Sequence, residues 1–255
     1  MARDQIERTI EEAARSFDAE LHTQAFAETH SDAAQLAKML SFLSPEQGQR
    51  ILDLGTGNGY VAKSIASAVP ECRVIGIDVA RQAIETNIDQ AKAARLSNVD
   101  FLAYDGTTLP FPDNHFDAAV SRYVLHHLPR PETSLAELGR TIRRNGRLVL
   151  ADGIRHEADD VDFINRFQEL KRDGHIRMYQ REVFIDLVSR SGFRVIETFD
   201  SSLAFSRERG APYDALLADT PEVVLRAYST QVGTRHMSLT LPILSVVFQN
   251  MSAKP

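Results

Sequence analysis

From Arg50 to Ala151, short apolar runs alternate with stretches whose apolar residues recur every three or four positions. The runs cover 51–54, 74–77, 99–104, 116–120 and 147–151. Each is too short for a buried helix and fits a strand covered on both faces. The stretches between them, marked by Val61 to Ala68, by Ile84, Ile88 and Ala91, and by Leu135, Leu138 and Ile142, have helical spacing. Strands alternating with helices of this length make βαβ units, hence a parallel sheet with helices on both faces. The turn pair Asn145-Gly146 is expected to introduce the fifth strand. Two more strands are expected at 193–198 and 243–248, the first preceded by a helix that Gly192 closes. The roughly forty residues between them exceed a plain loop and read as an insertion over the sheet's C-terminal edge.

The first strand runs into Asp53-Leu54-Gly55-Thr56-Gly57-Asn58-Gly59 and then a helix. Alternate glycines let the backbone bend sharply and let a ligand approach without meeting a Cβ. A dinucleotide fingerprint needs a glycine at position 60, where this chain has Tyr60, and it has no acid inside the strand like Asp53. Asp78 ends the second strand, where an acid can accept from both ribose hydroxyls of an adenosine; it reads alternatively as a helix cap. Asp105 follows the third strand, as an acceptor for an adenine amino group or as a turn aspartate. The three acids fall at the carboxyl ends of neighbouring strands, the rim where open α/β sheets bind ligands.

The segments ILDLGTGNGYVA, GIDVA, AYDGTTLPFPDNHFDAAVSRYVLHHL and RNGRLVLAD resemble the successive motifs of class I S-adenosylmethionine-dependent methyltransferases. Their spacing is similar to the small-molecule branch that includes the ubiquinone/menaquinone-biosynthesis enzymes. The resemblance implies a doubly wound, seven-stranded sheet of order 3-2-1-4-5-7-6, with strand seven antiparallel. It implies S-adenosyl-L-methionine as cofactor, with Gly55, Thr56, Gly57 and Gly59 holding its methionine end and Asp53 supporting them. Asp78 then takes the ribose, Val79 packs on the adenine, Asp105 and Gly106 cap the adenine edge, and Ser121 and Arg122 face the sulfonium. A looser likeness, to a subgroup of unassigned bacterial methyltransferases, covers DFINRFQELKRDGHIR and draws attention to His175.

Methyl transfer from a sulfonium is an in-line displacement, and alignment carries much of the acceleration. A base is needed where the acceptor loses a proton; histidine suits that near neutral pH. His126, His127 and His175 fall toward the open end of the sheet by resemblance, and His127 and His175 are the expected catalytic pair. Such a base predicts a rate that falls below about pH 6.5. Arg122 and Arg177 are candidates to hold a planar anion.

The expected organisation is a single domain: a helical lid over 1–47, a cofactor-binding core over 48–153, and substrate-covering insertions with two strands over 154–255. The stripe from Ile6 through Phe17 to Leu21 and the stripe Leu36, Leu40, Leu43, capped by Ser31, make the lid helices. Phe17, Phe26, Phe167, Tyr179, Phe205 and Tyr213 on the covering segments point to an apolar or aromatic small-molecule acceptor. The net charge of −6 argues against a general electrostatic grip on nucleic acid. No apolar run reaches the roughly 18 residues of a membrane span. A single cysteine, Cys72, and a charged N-terminus fit a reducing cytoplasm. No metal-ligand spacing is present. Two rivals stay open: a protein that binds the cofactor without transferring methyl, and a nucleotide-dependent oxidoreductase.

Overall fold

The structure, a computed structural model, describes residues 3–20 and 32–252. Leu21, Phe26 and Ser31 lie outside the described residues. Helix α1 (Arg3–Glu20) comes first, then α2 (Ala33–Leu43), β1 (Arg50–Leu54), α3 (Tyr60–Ala68), β2 (Arg73–Asp78), α4 (Arg81–Ala93), β3 (Val99–Ala103) and β4 (Phe116–Arg122). A single 3-10 turn (Leu125–His127) precedes α5 (Pro131–Thr141), β5 (Ile142–Gly153), α6 (Phe163–Glu169) and α7 (Arg181–Arg190). Then come β6 (Phe193–Glu208), α8 (Ala211–Asp219), α9 (Glu222–Ala227), β7 (Gln231–Val232) and β8 (His236–Asn250).

The sheet order is β3-β2-β1-β4-β5-β8-β6, with β8 antiparallel to β5 and β6, so β8 fills the place expected for strand seven. The two-residue β7, which pairs with β8, raises the strand number by one. On one face of the sheet Met39, Phe42, Val61, Ile65 and Ile84 of α2, α3 and α4 pack together. On the other, Leu135 and Leu138 of α5 meet Phe184 and Val188 of α7. The parallel register sets Leu54 beside Ile77 and Ser121, Asp78 beside Ala103, and Arg122 beside Ala151. Five strand ends thus reach one rim together.

Four expectations change. The α2 cap is Asp32, whose carboxylate accepts from the Gln35 N–H at 2.9 Å. Ile142 opens β5 opposite Phe116 instead of closing α5, and the strand bulges over the next residues before Arg147 pairs with Ala118. Residues 199–208 and 236–242 form no loose insertion; they lengthen β6 and β8 into a hairpin. In this outer half of β8 burial alternates residue by residue, while 243–248 is buried throughout. The inner half is covered on both faces and the outer half on one. Finally, α6 lies within the polar 155–180 stretch, with Phe163, Ile164 and Phe167 buried against α9 and the hairpin.

Candidate active site

The glycine loop is built by two neighbouring strands. The N–H groups of Gly55 and Thr56 both reach the Ile77 carbonyl at 2.9 Å, so the chain leaving β1 bends across the end of β2. Gly55, Gly57 and Gly59 all take positive φ, +68°, +54° and +71°. A Cβ on Gly57 would sit 2.8 Å from the Phe17 ring, and one on Gly55 would collide with Val124. Asp53 is buried beneath the loop, where its Oδ2 accepts from the Thr56 hydroxyl at 2.7 Å and the Ala62 N–H at 3.1 Å. Burial pushes its carboxyl up to about 6 against those two donors. Asp78 accepts from the Gly57 N–H at 2.9 Å and the Ala80 N–H at 3.0 Å. Burial raises it too. Asn87 closes the loop from α4 by donating to the Gly57 carbonyl at 2.7 Å.

This loop forms one end of a cavity of about 750 Å³. That size lies inside the roughly 300–1,000 Å³ usual for small-molecule sites. Asp53, Gly55, Thr56, Gly57, Asp78 and Val79 line it there, with Tyr104 and Gly106 beside them. Helix α1 covers this end with Phe17 on Gly57 and Ile10 on Gly106, and reaches the other with Ala13 on Gly174. Asp18 also accepts from the Ala83 N–H at 3.1 Å.

The other end is lined by His126, His127, Lys171, Asp173 and His175. His126 donates its backbone N–H to Asp152 Oδ2 at 3.2 Å, and its Nδ1 lies 2.5 Å from Asp152 Oδ1. Burial disfavours the His126 imidazolium, but the charge and hydrogen bond of Asp152 overcome this and leave His126 above the ordinary histidine range. Its ring centroid is 4.1 Å from that of His127 and 5.6 Å from that of His175. The His126 carbonyl accepts from Ile176 and Arg177, which pins the 173–177 segment to the 3-10 turn. His127 is half-buried, and its Nδ1 is buried with no hydrogen-bond partner among the described residues. Burial and the neighbouring His126 charge push it down to about 4. His175, bonded through Nε2 to Asn165 Oδ1 at 2.9 Å, is pushed by the same causes to about 3. A base that titrates this low moves the expected acid limb from about pH 6.5 toward pH 4.

The other expected residues divide. Arg122 lines the cavity, with Nε donating to Gln35 Oε1 at 2.6 Å and its guanidinium 4.4 Å from the Tyr123 ring. Gly59, Asp105 and Ser121 are not among the lining residues. Gly59 caps α3, where a Cβ would strike Asn87. Asp105 Oδ1 accepts from the Thr107 and Thr108 N–H groups, and Ser121 donates to the Leu54 carbonyl at 2.8 Å, tying β4 to β1. Arg177 is exposed and is not among the lining residues. Gln35, Asp152, Asn165 and Arg207 join the site without having been singled out in the sequence. For Asp152 a signal existed: an acid ending the fifth strand, on the same rim as Asp53 and Asp78.

The ligand end suits a nucleoside. Asp78 offers a carboxylate for paired hydroxyls, Val79 and Tyr104 offer an apolar face for a flat base, and Gly57 borders the cavity without a Cβ, beneath the Phe17 ring. A family profile described as a methyltransferase domain matches residues 52–150. An O-methyltransferase of Aspergillus nomiae, rstn1, is 33% identical over 160 residues, 62% of this chain and 70% of that one. The uncharacterized methyltransferase YcgJ of Bacillus subtilis is 30% identical over 148 residues, 58% of each chain. The crystal structure of YcgJ superposes with a TM-score of 0.75 at 19% identity, covering 86% of this chain and 99% of that one. The chain belongs to the S-adenosylmethionine-dependent methyltransferase family. The alignment takes in 58% and 56% of the first two curated relatives. No helix among the described residues is long and apolar enough to cross a membrane.

Proposed function

We propose that the protein transfers a methyl group from S-adenosylmethionine to a small-molecule acceptor. One observation carries this reading: a single cavity joins the acid-flanked glycine loop to a half-buried histidine cluster. When bound, S-adenosylmethionine supplies a methyl group activated by its attachment to a cationic sulfur. Gly55, Thr56 and Gly57 hold the methionine end, and Asp53 keeps the loop in shape through Thr56 and Ala62. Asp78 accepts from the ribose, Val79 and Gly106 flank the adenine, and Asp105 braces the turn behind it. Gly59 and Ser121 act through the backbone they position, and Arg122 borders the passage between the two ends.

At the far end, His127 and His175 meet the acceptor. Each is neutral across the physiological range, and a neutral imidazole offers one N–H and one lone pair. The pair can therefore steady a hydroxyl and receive its proton as the nucleophile attacks. Helix α1 excludes water from the loop end. Holding two reactants aligned in such an enclosure lowers a barrier by roughly 7–11 kcal/mol. The kinship with an O-methyltransferase supports an oxygen acceptor.

The test is to incubate the protein with S-adenosylmethionine and a panel of small phenols, alcohols and acids, and to measure S-adenosylhomocysteine. Acceptor-dependent release that falls at least about tenfold in His127→Ala or His175→Ala, with cofactor affinity unchanged, is expected. Tight cofactor binding without release on any acceptor contradicts methyl transfer.

A further inference from the structure

We propose that the acceptor is an organic acid with an apolar or aromatic body, whose carboxylate is held by Arg207 as a handle and is not itself methylated. This inference rests on the methyltransferase reading and names the substrate class for the same cavity.

The β6–β8 hairpin carries Arg207 into the cavity wall. Residues 199, 201, 203, 205 and 207 share the less exposed face of β6, and Arg207 pairs with the buried Met237 of β8. The guanidinium lies 4.7 Å from the Phe205 ring, and its Nη1 donates to the neighbouring Ser206 carbonyl at 3.1 Å. Its Nε is buried and has no hydrogen-bond partner among the described residues. It makes no ion pair among them either.

The charges around it show why this cation differs from its neighbours. His126 is matched by Asp152, and Lys171 by Asp173 at 2.9 Å. Arg122 donates to Gln35 and lies near Asp53. Arg207 also reaches the Tyr213 hydroxyl, a neutral partner, and Lys171 and Asp173 act on the same phenol, so the three share one neighbourhood. Two cations and one anion leave a positive balance there. A half-buried guanidinium without a counter-ion, beside a cavity, suits a planar anion delivered by a ligand.

The rest of the wall sets the body of the ligand. Leu203, Phe205, Leu241 and Met178 line the space beside Arg207. Phe167 lies behind Phe205 with its ring tilted at 6.3 Å, and Tyr213 lies 4.8 Å from Phe167 in turn. Val124, whose carbonyl accepts from the His127 N–H at 2.9 Å, packs on Gly55 and so ties the histidine turn to the glycine loop. His127 and Arg207 line the same cavity, so a ligand held by its carboxylate at Arg207 has its other end in the space that His127 borders.

The experiment titrates protein saturated with S-adenosylhomocysteine with matched pairs: phenylacetate and phenylacetamide, 3-phenylpropionate and 3-phenylpropionamide, 4-hydroxybenzoate and 4-hydroxybenzamide. In at least one pair the acid should bind at least tenfold more tightly than the amide. Arg207→Gln should erase that preference and Arg207→Lys should keep part of it, while both variants bind S-adenosylhomocysteine like wild type. Equal binding within every pair, binding of neither member, or a preference that survives Arg207→Gln overturns the proposal. Failure of S-adenosylhomocysteine to bind the wild-type protein overturns the methyltransferase reading instead.

Discussion

Asp78 shows how much a single carboxylate is asked to do. It already accepts two backbone N–H bonds, from Gly57 and Ala80, and a carboxylate has further lone pairs for a ribose. Hydrogen bonds to a charged group are worth about 1.5–3 kcal/mol each. Asp78→Ala should therefore weaken S-adenosylhomocysteine binding more than about tenfold by calorimetry. Asp89→Ala, on the exposed face of α4, should leave it unchanged; equal affinities would reduce Asp78 to a loop brace. The histidines predict a pH effect. His127 titrates near 4 when folded and near 6.5 when unfolded, so on acidification the unfolded chain takes up a proton that the folded one refuses. The stability contributed by its neutral burial is complete above about pH 6.5 and is lost as pH falls from there toward 4. Urea unfolding at pH 7 and pH 5 should show a smaller loss in His127→Phe than in wild type, by roughly 2 kcal/mol. An identical loss in both would mean that His127 is not buried neutral. His126, raised by Asp152, works in the opposite direction and is untouched by this substitution. At this scale the bend of the glycine loop was legible because positive φ favours glycine, as at Gly55, Gly57 and Gly59. Asn165 and Arg207 were not, because their role comes from elements that meet only in the folded chain.

Helix α6 is held by one buried polar cluster. Asp159 accepts from the Phe163 and Ile164 N–H groups at 2.7 and 3.0 Å, satisfying the helix start, and from the Tyr228 hydroxyl at 2.9 Å. The same hydroxyl accepts from the His156 N–H at 2.9 Å. Tyr228→Phe keeps the ring packing and strips the oxygen, leaving the His156 N–H without its acceptor. A loss of about 1–3 kcal/mol is expected in chemical denaturation; no loss would mean that water replaces the hydroxyl without cost. In the sequence the strands of the core stood out because both faces are covered, giving apolar runs such as Val74 to Ile77. The outer hairpin did not. Covered on one face, it alternates Phe199, Leu203 and Phe205 with polar residues, and Ser201 interrupts the series. Asp159 was likewise hidden in a stretch so rich in charge that it looked like loop.

Across the molecule, the sheet supplies a rigid rim and α1 lies over it. The helix touches the rim through Phe17, Ile10 and Ala13, and through the Asp18 bond to Ala83. Elements with few buried contacts open readily, and closing lids order when ligand binds. Hydrogen exchange in residues 3–20 should slow by at least about tenfold when S-adenosylhomocysteine is added; unchanged exchange there would make α1 a fixed wall. The order of the sheet was readable from alternation and resemblance together, since right-handed crossovers leave few arrangements. A rim cavity shaped for S-adenosylmethionine should tell that cofactor's product from a dinucleotide. The most direct measurement is a pair of calorimetric titrations of the same protein, one with S-adenosylhomocysteine and one with NAD. Micromolar binding of the first and no heat with the second is the predicted result, whereas tight NAD binding with no response to S-adenosylhomocysteine would contradict it.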